Sequence, residues 1–128
     1  MPETGTWPTE VRLKQDRRSL VVRFDDGAAF DLAAEYLRVL SPSAEVQGHS
    51  PEQRQTVGGK IDVTIAAVDP VGNYAVRLTF SDRHDTGIYS WTYLRKLGEE
   101  HDALWAAYLR ELDAKQMSRT PGARGSKG

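Results

Sequence analysis

Cysteine is absent from all 128 residues. That excludes a disulfide scaffold, a thiolate zinc site, an iron–sulfur cluster held by this chain and a cysteine nucleophile. Long apolar runs are absent too: none approaches the roughly 18 residues of a membrane span. The opening MPETGTWPTE has neither the basic nor the apolar region of a signal peptide. These absences lead to the expectation of a cytoplasmic protein with no membrane partner. Neither charge sign dominates, the net charge being −1. Residues 1–117 hold 14 basic and 18 acidic side chains, and Arg119, Arg124 and Lys127 bring the balance back near zero. A mildly acidic body lacks the clustered basic face of a nucleic-acid binder, so nucleic acid is not an expected partner.

A chain of this length is one domain that can bury its own core. Its pattern divides it into a flexible leader over residues 1–8, a folded body over 9–117 and a disordered basic tail over 118–128. Period-2 alternation marks strands over residues 9–14 and 19–25, and Asp25-Asp26-Gly27 predicts a tight hairpin into 28–32. Asp31 is a candidate N-cap for a short helix over 32–39. Alternation resumes over 60–68, and Asp69-Pro70-Val71-Gly72-Asn73 predicts a turn into another strand. The apolar character of these two strands places both centrally in a sheet. Ser90 is a candidate N-cap for a helix over 91–97 stopped by Gly98, with a second helix over 99–116. The fold class is α+β: an antiparallel sheet of about five strands built from two hairpins, a short middle helix and two C-terminal helices.

Two stretches concentrate chemistry. One is Val71 to Leu94, where a strand carrying Tyr74, Val76, Leu78 and Phe80 on one face runs into a polar loop with Asp82, His84 and Asp85. Tyr89, Trp91 and Tyr93 follow; Trp91 and Tyr93 are expected to be mostly buried and Tyr89 exposed. The other is residues 40–59, which are rich in Pro, Gly and polar side chains and show no sustained period. A Ser-His-Asp set could be drawn from Ser81 or Ser90 with His84 and Asp85, but no G-x-S-x-G elbow accompanies it. Gly58-Gly59-Lys60 lacks the phosphate-loop spacing, has Ile61 where Ser or Thr is needed and precedes a strand. His84 and His49 with nearby carboxylates form a candidate metal set.

Leu37-Arg38, the run SPSAEVQGH from Ser41, VGNYAV and DRHDTGIYSWTYL together resemble the N-terminal domain of gamma-butyrobetaine and trimethyllysine hydroxylases. Similar domains stand alone in bacteria or are joined to Mrp-type ATPases that carry iron–sulfur clusters. The resemblance spans roughly residues 9–97. In the hydroxylases it implies a structural zinc held by three cysteines and a histidine, with oxidation performed by a separate domain. Carried over, the cysteine positions are Ser41, Ser43 and approximately Val46, and the histidine is His84. Three thiolates are therefore replaced, and a zinc-free form with no cofactor is expected. The resemblance also implies that the Ser41–His49 and His84 loops meet, with Arg38 and Asp85 available as an ion pair. The expected function is that of a small non-catalytic accessory or interaction domain, linked through its associations to iron–sulfur or other metal-cofactor metabolism. Its partner would be a protein meeting a surface of Arg38, Ser41, Ser43, Glu45, His49, His84, Asp85 and Tyr89. The competing readings are a metal-binding protein using His84 and His49, and a small hydrolase built on the His84 loop.

Overall fold

Gly27 takes φ +92°, and the turn closes with Phe24 N–H donating to Ala28 O at 2.8 Å. Asp26 Oδ1 accepts from Ala28 N–H as well. This is the hairpin the Asp-Asp-Gly signal predicts. In the computed structural model, which describes residues 7–48 and 54–121, that hairpin joins β2 (Ser19–Phe24) to β3 (Ala29–Ala33). β1 (Pro8–Leu13) pairs with β2 on the other side. The chain continues through α1 (Ala34–Val39) and α2 (Ala44–Gln47) to β4 (Ile65–Val71), β5 (Ala75–Phe80) and β6 (Gly87–Ser90). Two helices follow, α3 (Trp91–Glu99) and α4 (His101–Ala114).

The expected single sheet of about five strands does not form. Among the described residues, six strands make two separate antiparallel sheets, ordered β1-β2-β3 and β4-β5-β6. The difference lies in β6, whose four residues Gly-Ile-Tyr-Ser are too few to show a period and sit beside a polar loop. Pairing of Val76 with Tyr89 and of Leu78 with Gly87 makes β5 the central strand. β4 is an edge, which is where Pro70 is tolerated, since proline has no N–H for a further ladder. Asp69, Pro70 and Val71 are therefore strand residues, and the turn itself is made by Gly72 at φ +53°. Residues 60–64 alternate correctly but precede the first paired residue, Ile65.

The sheets meet through side chains and a backbone junction. Arg17, at φ +61° in the β1–β2 turn, accepts from Ile65 N–H at its carbonyl and donates from Nη1 to Ala66 O. Leu20, Val22, Leu32, Leu37, Ile65, Leu78, Phe80, Tyr89, Leu94 and Leu97 fill one core drawn from both sheets, α1 and α3. Asp31 does not cap α1. Its carboxylate pairs with Lys14, β3 extends to Ala33, and Ala33 occupies the N-cap without a side-chain bond.

Gly98 does not end α3 either. The helix runs to Glu99, and Gly98 within it lies against the Phe30 ring, where a Cβ would stand 2.4 Å from Cγ. Arg95, one turn earlier, reaches the hairpin turn with two bonds to Asp26 and covers Phe24 and Phe30. Alanine in an ordinary helix interior gains about 1 kcal/mol over glycine. Gly98→Ala is expected to reverse that sign and cost about 1–3 kcal/mol in urea unfolding, since the ring must shift. Phe30→Val in the same chain should restore most of the loss; a Gly98→Ala chain as stable as wild type would refute the close approach.

Candidate functional site

Two chain reversals bring the chemistry together. After α1, Pro42 prevents the helix from continuing, and Ser43 starts α2 with extended backbone (φ −67°, ψ 154°). Its hydroxyl makes no capping bond to α2 and faces His84 instead. After β5, Arg83 adopts φ +74°, and Phe80 N–H donates to His84 O at 2.9 Å. Asp82 Oδ1 accepts from His84 N–H at 3.1 Å, closing an Asx turn that carries the imidazole back toward α1.

There Ser41 Oγ lies 2.9 Å and Ser43 Oγ 3.4 Å from His84 Nε2. The relative exposures are 0%, 6% and 7% for Ser41, Ser43 and His84, so this is an interior cluster. A single ring nitrogen serves two hydroxyls, accepting or donating according to tautomer. Gln47 Nε2 donates to Ser41 O at 2.8 Å, and the Phe80 ring lies beside the imidazole. Gly87 packs on the cluster; a Cβ there would stand 2.5 Å from Ser41 Oγ. The two loops therefore meet, as the resemblance implied.

Other expected members are placed differently. Arg38 pairs not with Asp85 but with Asp82, its Nε donating to Oδ2 at 2.8 Å, and Lys60 Nζ reaches the same oxygen at 2.6 Å. Asp85 is exposed. Tyr89, expected to be exposed, is fully buried; its side chain points inward from β6 and its hydroxyl donates to Leu37 O at 2.6 Å. Trp91 and Tyr93 are half-buried. The Glu45 side chain and His49 lie outside the described residues. Sequence reasoning missed Asp82 and Lys60 as the charge partners of Arg38, and Gly87 as the residue that leaves room for Ser41. Gly at the first position of an otherwise β-prone run was the one available signal. The serines proposed for a hydrolytic set are engaged elsewhere: Ser81 Oγ accepts from Thr64 N–H and Ser90 Oγ caps α3 through Tyr93 N–H.

Burial would raise the Asp82 pKa, but bonds from Lys60, the His84 N–H and Arg38 outweigh it and hold the carboxyl down at about 2. A folded-state pKa below the unfolded value of about 3.9 gives stability that is present above that value and is lost as pH falls through 4 toward 2. With allowance for solvent screening of this partly exposed group, the contribution is about 1 kcal/mol. Asp82→Asn is expected to flatten the acid limb of the stability profile by that amount. Urea titrations between about pH 6 and pH 2.5 measure it; superimposable limbs would remove Asp82 from its assigned role.

The donor set does not fit zinc. Serine hydroxyls keep their protons at neutral pH, and Val46, 2% exposed, offers no donor atom. Among the described residues, no group of three or more His, Cys, Asp or Glu side chains comes together in a way that could hold a metal ion. No described helix is long and apolar enough to cross a membrane.

Comparison with known proteins agrees with this geometry. Two proteins with solution NMR structures are 46% and 42% identical to the chain, each with a TM-score of 0.78. The first match covers 94% of this chain and 91% of that one; the second covers 93% of each. A crystal structure of a protein of unknown function of the DUF971 family, from Acidithiobacillus ferrooxidans, is 41% identical with a TM-score of 0.64. That match covers 76% of this chain and 98% of the other. No curated protein matches. Residues 11–95 match the family model described as gamma-butyrobetaine hydroxylase-like, N-terminal. The chain, a small α+β domain without the cysteines to coordinate zinc, belongs to the gamma-butyrobetaine hydroxylase-like N-terminal family.

Proposed function

We propose that the protein is a non-catalytic interaction domain, in which the Ser41–Ser43–His84 cluster takes the structural place of a metal cross-link. The observation that carries this reading is that His84 Nε2 is shared by two buried serine hydroxyls. A group so enclosed is suited to holding two loops in register rather than to meeting a substrate. Because Ser41, Ser43, His84 and Tyr89 are buried, they shape the recognition surface from beneath, and Asp85 and the partly exposed Arg38 are the members that face a partner. Glu45 and His49, next to the same loop in sequence, complete the proposed surface. Iron–sulfur or other metal-cofactor machinery in the cytoplasm is the proposed setting, supported by the association of similar domains with Mrp-type ATPases.

The test is site-specific photo-crosslinking in the native cell, with the reactive residue at Asp85 in one chain and at Lys115 in a control. The expected result is one protein captured reproducibly from position 85 and not from 115, with capture lost on Arg38→Glu in a folded chain. Equal capture from both positions would refute the surface.

A further inference from the structure

A cavity of about 370 Å³ opens between the segment around Leu40, Pro42 and Gln47 and the facing sides of α3 and α4. That volume is within the range of small-ligand sites. Its walls are Leu40, Leu97, Leu104, Ala107 and the rings of Tyr93 and Tyr108. The tyrosine hydroxyls are already committed, Tyr93 to Leu40 O at 2.5 Å and Tyr108 to Val57 O at 2.6 Å. What they present to the cavity is aromatic surface.

The charged lining is small and unbalanced. Glu111 is neutralised by Arg54 and also accepts from Thr56 Oγ1 at 3.2 Å. Lys96, exposed at the rim of the cavity, has no carboxylate partner among the described residues, and Glu100 one turn on makes no ion pair with it. The lining therefore carries one positive charge over that of its ion pair, beside an apolar chamber. We propose that this cavity binds a small monocarboxylate carried on an aryl-alkyl body, with Lys96 Nζ donating to the carboxylate and the rings of Tyr93 and Tyr108 flanking the apolar part. A neutral analogue forfeits the charge-assisted bond, and a cation is repelled by Lys96. The cavity shares the 40–47 segment with the partner surface, but the residues proposed to hold the ligand, Tyr93, Lys96 and Tyr108, are not among that surface's members.

The test uses the full chain labelled with ¹⁵N and 4-phenylbutyrate as the probe, with 4-phenylbutanol and 4-phenylbutylamine as comparisons. Saturable shifts are expected at Tyr93, Lys96, Leu97, Leu104, Ala107 and Tyr108. Lys96→Gln should weaken the carboxylate about threefold, the size of an exposed ion pair, and leave the alcohol unchanged. Ala107→Trp, a change at a half-buried helix position that fills the cavity, should abolish binding of both while preserving the remaining spectrum. Absence of saturation by about 10 mM, a range covering even very weak sites, would overturn the site. Equal binding of carboxylate, alcohol and amine would overturn the role of Lys96, and with it the proposed ligand class.

Discussion

Replacing Ser41, Ser43 and Val46 together by cysteine is expected to give a chain that binds one zinc ion tightly, where the natural chain does not. On tetrahedral zinc, sulfur at about 2.3 Å and imidazole nitrogen at about 2.0–2.1 Å stand about 3.6 Å apart. Ser43 Oγ already lies 3.4 Å from His84 Nε2, and Ser41 Oγ, at 2.9 Å, must open by a fraction of an ångström. Two of the three replaced positions thus already stand close to the required spacing from His84. Because such a site is assembled only in the folded state, binding is linked to stability, and structural zinc sites of this composition supply on the order of 10 kcal/mol. Competition against a chromophoric chelator measures the affinity, and a cobalt spectrum reports tetrahedral thiolate ligation. The same triple variant with His84→Ala should lose affinity steeply. If the triple variant binds no metal while remaining folded, the correspondence of these positions to a metal site is wrong.

The second large effect is expected at the C-terminal end. Composition marks residues 118–128 as a disordered basic tail, yet Arg119 donates from Nε and Nη2 to both oxygens of Glu35 at 2.8 and 2.7 Å. Its guanidinium also lies over the Trp105 ring. The carboxylate of Glu35 is 8% exposed, so its cation is not an optional surface partner. The same segment supplies acceptors to Gly59 N–H and Ile61 N–H through Ser118 and Arg119 carbonyls. Truncation after Met117 would leave a buried carboxylate unpaired and two N–H groups without acceptors. The expected cost is about 3 kcal/mol, at the low end for broken buried pairs because Arg119 itself is partly exposed. For a chain of this size that lowers Tm by roughly 10 °C. Truncation after Pro121, which keeps every one of these contacts, is the control. Glu35→Gln should recover part of the loss in the shortened chain, because it removes the stranded charge. Equal melting of the two truncated chains would refute the pairing.

The parts of the fold legible in the sequence are those decided by neighbours along the chain. The Asp25-Asp26-Gly27 turn, the inward Val76, Leu78 and Phe80, and the Ser90 cap each follow from backbone preference or period alone, whereas Tyr74, on the same period, lies before β5 begins and is exposed. The parts that were not legible depend on what arrives from elsewhere. Gly98 reads as a helix stop until Phe30 is placed against it, and Tyr89 reads as exposed until β6 pairs with β5. Asp82 and Asp85 are equivalent partners for Arg38 on paper; the left-handed Arg83 is what turns the first inward and leaves the second outside. The meeting of Ser41, Ser43 and His84 was legible only through likeness to a family, because no local rule links residues more than forty positions apart.

The tyrosine hydroxyls have a consequence for how the chain comes apart. α1 is six residues long, too short to persist by itself. Carbonyls at its C-terminal end are held by Tyr89 and Tyr93, and Tyr36 within it reaches across to Leu97 O. The N-terminal half thus keeps its helix only while the C-terminal half is in place, and the reverse holds for the end of α3. Two sheets that share no ladder are in this way a single melting unit. A chain cleaved between them would yield two fragments that fold only in each other's presence.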